Sequence, residues 1–217
     1  MARTVRTIIC ISALALSAAS PVPAGEDEGP TLVERVDRYC IGPDGDHRLT
    51  WSLAEEDGFT VLAGPEFQNR QTPGVHRGSI RVFTKGEGVE QVRITTAATF
   101  LQSPEQGTTY FRWCWVSAND SLDRTTAALR ALLKTPAFRV EKVRIFAWIP
   151  RPDGVIEPVR RPAFMREGYT LAREQGLRHV TLKRDGDTVF VGYGSPRDEA
   201  TYRDFDWAGP EPVAAPE

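Results

Sequence analysis

Cysteine and histidine are scarce in this chain, three of each in 217 residues, and only four of its 27 basic side chains are lysine. The histidines, His47, His76 and His179, fall in a helix start, a loop and a strand. No two of them are spaced i, i+4 on a helix, which leaves a zinc site without a ligand pattern, and surface or turn positions are the ordinary expectation for them. A glycine-rich phosphate loop is missing as well. The two short serine motifs, His76-Arg77-Gly78-Ser79 and Gly192-Tyr193-Gly194-Ser195, lack the flanking glycines and the strand-to-helix turn of a nucleophile elbow. Glu55-Glu56-Asp57 reads as the solvated end of a helix rather than an acid–base group. The pattern therefore predicts no catalytic residue, no metal ligand and no cofactor. A formal net charge of −2 gives no general attraction for nucleic acid, so a nucleic-acid partner is not expected. Charge is uneven, however: Arg139 to Arg184 carries eleven Arg or Lys against five Asp or Glu.

Long apolar runs are equally rare, and the single clear one lies at the N-terminus. Arg3 and Arg6 precede an apolar stretch from Ile8 to Ala19, and Val22-Pro23-Ala24 presents small or aliphatic side chains before the acidic Gly25-Glu26-Asp27-Glu28. These are the parts of a secretory signal, with cleavage expected after Ala24. Twelve residues span only ~18 Å as a helix, short of a ~30 Å hydrocarbon core, so no transmembrane segment is expected after cleavage. Removal of the signal discards Cys10 and leaves Cys40 and Cys114, an even pair that export to an oxidising compartment turns into a disulfide. The mature chain then divides into a linker over 25–30, one domain over 31–193 and an acidic, proline-containing tail over 194–217 expected to lack packed structure.

Within the domain, Thr31-Leu32-Val33-Glu34 has the form of a capping box, and Leu32, Val33, Val36, Tyr39 and Cys40 recur at helical spacing until Gly42-Pro43. A second helix is predicted from Asp46 to Gly58 with Leu49 and Leu53 on one face, and a third after Asn119-Asp120-Ser121 with Leu122, Leu129, Leu132 and Leu133. Between them, alternating stretches at Gly78–Lys85, Val89–Phe100 and Thr108–Ala118 read as an antiparallel meander. Val140–Ile149 and Val155–Val159 follow as strands, residues 162–175 fit a short helix or a strand, and Leu177–Arg184 and Asp187–Tyr193 flank an Asp185-Gly186 hairpin turn. The fold class predicted is α+β: an antiparallel sheet of about six to eight strands with two N-terminal helices and one central helix packed on it.

Aromatic residues supply the candidate site. Phe111, Trp113 and Trp115 share one face of a strand, while Cys114 lies on the other with Tyr110, Val116 and Ala118. A Cys40–Cys114 bond draws the first helix to the Cys114 face, so the aromatic row points away from it. If the third helix covers the row, the tryptophans are core. If the row is open, Phe111, Trp113 and Trp115, joined by Phe146 and Trp148 of a later strand, form a ligand-binding platform for a sugar, peptide or protein.

Tyr39-Cys40 in an early helix, Gly58-Phe59 closing a second, and Cys114-Trp115-Val116 on a later strand resemble small exported proteobacterial proteins of uncharacterised function with one disulfide, over residues 31–118. The resemblance implies export and the cysteine pairing. The function expected is a non-catalytic binding or accessory protein, periplasmic or secreted, with an envelope protein or glycan as partner. The alternative is a hydrolase acting on an envelope polymer.

Overall fold

The computed structural model describes residues 29–62 and 79–203. The expected signal sequence, His76 and the tail beyond 203 lie outside the described residues. Helix α1 (Leu32–Val36) starts at the predicted capping box. The Thr31 amide donates to the Glu34 carboxylate at 2.7 Å, and the Glu34 amide donates to the Thr31 hydroxyl at 3.3 Å. The chain continues as one π turn over Asp37–Ile41, which keeps Tyr39 and Cys40 buried beside Leu32, Val33 and Val36. Asp46 caps α2 (His47–Glu56), Ser121 caps α3 (Leu122–Leu133), and α4 (Arg161–Gln175) and α5 (Glu199–Arg203) follow.

Nine strands form one antiparallel sheet: β1 (Thr60–Val61), β2 (Arg81–Lys85), β3 (Val92–Ser103), β4 (Gly107–Asn119), β5 (Phe138–Val140), β6 (Val143–Pro150), β7 (Ile156–Pro158), β8 (Arg178–Asp185) and β9 (Thr188–Arg197). Their order is β1-β2-β3-β4-β9-β8-β6-β5, with β7 also paired to β6. The architecture is α+β as predicted. The strand count exceeds six to eight because the short stretches β1 and β5 pair at the edges, where two or three residues suffice.

The sheet has two cores. On the first face α1, α2 and α3 bury Phe83, Ile94, Cys114, Val116, Val180 and Val191. Cys40 and Cys114 form the disulfide there, both fully buried, with Cα atoms 5.4 Å apart across 74 residues of sequence. A bridge closing so long a loop stabilises by roughly 4 kcal/mol in the chain-entropy account. On the second face α4 packs against the N-terminal half of β4 and the neighbouring ends of β6 and β9, enclosing Phe111, Ile145, Ala147, Ile149 and Leu177.

Three expectations are corrected and one left open is settled. The buried side of α2 is Thr50, Trp51 and Ala54, while Leu49 is 45% exposed. Polar anchors set that rotation: the Thr50 hydroxyl donates to the Tyr39 carbonyl at 2.7 Å and the Trp51 indole N–H to the Thr96 hydroxyl at 2.9 Å. The segment left open between helix and strand is α4, fifteen residues long, with proline in its first turn and Gly176 left-handed (φ +67°) at its end. In the β8–β9 hairpin Asp185 pairs with Thr188, so the two-residue turn is Gly186-Asp187, with positive φ only at Gly186. That is the pattern of a turn with glycine first, one residue later than the sequence suggested. Finally, the residues after Tyr193 are structured as far as Arg203. Gly194–Arg197 complete β9 against β4, and Tyr202 of α5 is buried with its ring 4.7 Å from that of Tyr110.

Candidate functional site

The β3–β4 ladder runs without a bulge from Arg93↔Ser117 to Ser103↔Gly107, so strand alternation holds along the whole of β4. Phe111, Trp113 and Trp115 therefore lie on the face opposite Cys114, as their spacing predicted. The helix on that face is α4 and not α3, whose Leu129 and Leu133 belong to the disulfide core. Cover is partial. Phe111 is 2% exposed, whereas Trp113 and Trp115 are half-buried. The structure combines both readings of the aromatic row, with a core end under α4 and a half-open end beyond it.

The two indoles stack, ring centroids 5.2 Å apart and planes within 7° of parallel. Trp113 is tethered by its N–H, which donates to the Thr99 hydroxyl at 3.0 Å. Across β9 the partners of Trp113 and Trp115 are Gly194 and Gly192, and a Cβ on Gly194 would stand 3.1 Å from the Trp113 ring. The absent side chains leave a shelf on which the rings lie. At the covered end, His179 is wedged edge-on among Trp113 (4.9 Å), Phe164 (5.6 Å) and Phe111 (5.8 Å). Its Nδ1 has no hydrogen-bond partner among the described residues, and burial pushes its pKa down to about 4. His47 is buried too, its pKa lowered to about 3 by burial first and then by Arg112 and Arg197. The two histidines expected at the surface or in a turn are thus core residues, because each sits on the inward side of its element.

Trp148 does not join the platform. Register pairs it with Arg178 and Phe146 with Val180, which puts both on the disulfide face, where Trp148 is 4% exposed against the Tyr193 ring. A row of residues that the sequence did not single out continues the half-open end of the aromatic face. Thr84, Arg93, Ser117, Phe190 and Lys183 are direct cross-strand neighbours on β2, β3, β4, β9 and β8. They come together only through pairing of strands as distant in sequence as those of Ser117 and Phe190, and no local motif marks them.

A second polar cluster surrounds Asp44, a non-glycine residue at φ +47° in the loop between α1 and α2. Its carboxylate accepts from Arg178 Nε (2.9 Å) and Nη2 (2.7 Å), the Tyr193 hydroxyl (2.5 Å) and the Ser195 hydroxyl (2.8 Å), and its carbonyl accepts from Arg197. Burial alone would raise the Asp44 pKa, but the bonds from Arg178, Tyr193 and Ser195 and the charge of Arg178 outweigh it and hold the carboxyl below its usual range. Ser195 is completely buried and spends its proton on Asp44. The cluster staples the α1–α2 loop to the ends of β8 and β9.

No helix among the described residues is long and apolar enough to cross a membrane, and no group of three or more His, Cys, Asp or Glu among them could hold a metal ion. Comparison with protein families, with characterised proteins and with solved structures finds no match for this chain.

Proposed function

We propose that the protein is exported and acts as a non-catalytic binding or accessory protein of the periplasm or cell envelope, engaging its partner through the half-open end of the aromatic face. The observation that carries this reading is the Trp113–Trp115 stack. Two large rings are held by a tether and a glycine shelf, yet both are left only partly covered. Rigid aromatic surface binds with little loss of side-chain entropy, which is why Trp and Tyr dominate recognition surfaces. A buried disulfide in a two-cysteine mature chain supports the oxidising compartment. The hydrolase alternative draws on Asp44 and Ser195, which meet within 3 Å, but both are consumed by the staple that holds the loop.

The test has two parts. The full-length chain is produced in a Gram-negative host and the N-terminus of the periplasmic product is sequenced, with Gly25 expected first. Processed protein and its Trp115→Ala variant are then immobilised and challenged with envelope extract, and retained components are identified. A component held by the wild type and lost by a folded Trp115→Ala supports the reading. An uncleaved cytoplasmic product, identical retention by both proteins, or new reducing ends released from an envelope polymer overturns it.

A further inference from the structure

Beyond Trp115 the sheet carries the row Thr84, Arg93, Ser117, Phe190 and Lys183 across five strands. At ~4.8 Å per strand the row is about 19 Å long. It borders a cavity of about 320 Å³ lined by Gln91, Arg93, Ser117, Asn119 and Phe190. That volume lies at the small end of the ~300–1,000 Å³ typical of small-molecule sites.

The polar groups in and beside this cavity are under-used. Arg93 donates from Nη2 to the Gln91 side chain at 3.1 Å, but its Nε is buried and has no acceptor among the described residues, and the neighbouring Thr84 hydroxyl is likewise buried and unpartnered. Neither Arg93 nor Lys183 forms an ion pair with a described residue, and the Lys183 ammonium rests 5.2 Å from the Phe190 ring centroid. Asp187, the one carboxylate among the described residues lining the cavity, is turned to Arg184 at 3.0 Å. The third nitrogen of that guanidinium, Nη1, is accessible and reaches no acceptor among the described residues, and the acceptor that best suits a guanidinium is a carboxylate.

From this juxtaposition of an under-used Arg93, the Ser117, Asn119 and Gln91 side chains and the flat ring of Phe190, we infer that the cavity is a binding site for an acidic saccharide, its carboxylate on Arg93 and its ring on Phe190. The ligand supplies what the site lacks. A carboxylate accepts from Arg93 Nη1, Lys183 adds a second positive charge, and the hydroxyl and amide side chains match sugar hydroxyls, which both donate and accept. Carbohydrate C–H faces fit an aromatic ring, which Phe190 supplies in the cavity wall. This assignment rests on the binding reading above and specifies its ligand.

The processed protein is titrated calorimetrically with trigalacturonate and trimannuronate and with their methyl esters, which keep the skeleton and remove the charge. The acids are expected to bind and the esters to bind about tenfold more weakly, as loss of a charge-assisted hydrogen-bond pair predicts. Arg93→Gln should weaken the acids about tenfold and Arg93→Lys should restore part of the loss, because Lys keeps the charge without the fork. If Arg93→Gln does not fold, the acid–ester comparison on the wild type decides alone. Equal binding of acid and ester, no binding of either acid at millimolar concentration, or a folded Arg93→Gln that binds as the wild type overturns the assignment. Should that happen while Trp115→Ala still loses an envelope component, the acidic-sugar assignment falls and the aromatic binding reading stands.

Discussion

Gly192 of β9 lies under Trp115 of β4: a Cβ placed on that glycine would stand 2.5 Å from the indole Nε1 and 2.9 Å from the Thr181 hydroxyl. The contact couples the aromatic face to the backbone of its neighbouring strand, since neither the ring nor the ladder can give without moving the other. Gly194 repeats the relationship under Trp113.

Gly192→Ala should therefore act on fold and site together. The methyl forces Trp115 off its shelf at an overpacking cost of ~1–3 kcal/mol. Denaturant titration should register that loss, and the tryptophan emission of the native state should shift as Trp115 enters water. A variant with unchanged stability and unchanged emission would show that the ring does not lie against this strand.

Acid should destabilise the protein through His179. Its pKa is lowered from 6.5 to about 4, with burial the cause. Below pH ~6.5 the unfolded chain takes up a proton that the folded chain refuses, so the stability present at neutral pH is lost progressively down to about pH 4 and no further beneath it. The depression corresponds to about 3 kcal/mol. His179→Leu should flatten the pH dependence of the melting temperature in that window by about this amount, while the contribution from His47 remains. Parallel profiles for wild type and variant would mean that His179 takes up its proton in the folded chain as readily as in the unfolded one.

Truncation after Tyr193 should be strongly destabilising. It removes the β9 residues Gly194–Arg197, the Ser195 hydroxyl that donates to Asp44, and Tyr202, buried against Tyr110. Loss of the buried Tyr202 ring alone is worth about 3–5 kcal/mol, or roughly 6–20 °C for a domain of this size. A truncated chain melting with the full-length protein would show that these residues contribute no packing.

Much of the local structure was legible in the residues themselves, where short-range chemistry decides it. Thr31 and Glu34 each satisfy the other's free amide, Leu32 to Cys40 repeat with the helical period, and Phe111, Trp113 and Trp115 must share a side of their strand because alternation has a period of two. The pairing of Cys40 with Cys114 was expected from the even pair left when Cys10 is assigned to the expected signal, and the two form the disulfide. What lies over each face was another matter. Leu49 and Leu53 are more apolar than Thr50, yet hydrogen bonds from Thr50 and Trp51 to Tyr39 and Thr96 set the rotation of α2. Helix α4 has so weak an apolar side that Ala172 is its only fully buried residue, and sheet packing rather than periodicity establishes it as a helix. Trp148 falls on the disulfide face, and Arg93, Ser117, Phe190 and Lys183 meet in one row, through register between strands distant in sequence. Sequence determined which residues share a side of each strand, because covalent geometry imposes the alternation. Tertiary structure decided which side is covered and which residues become neighbours across it, because those depend on long-range contacts that no local spacing encodes.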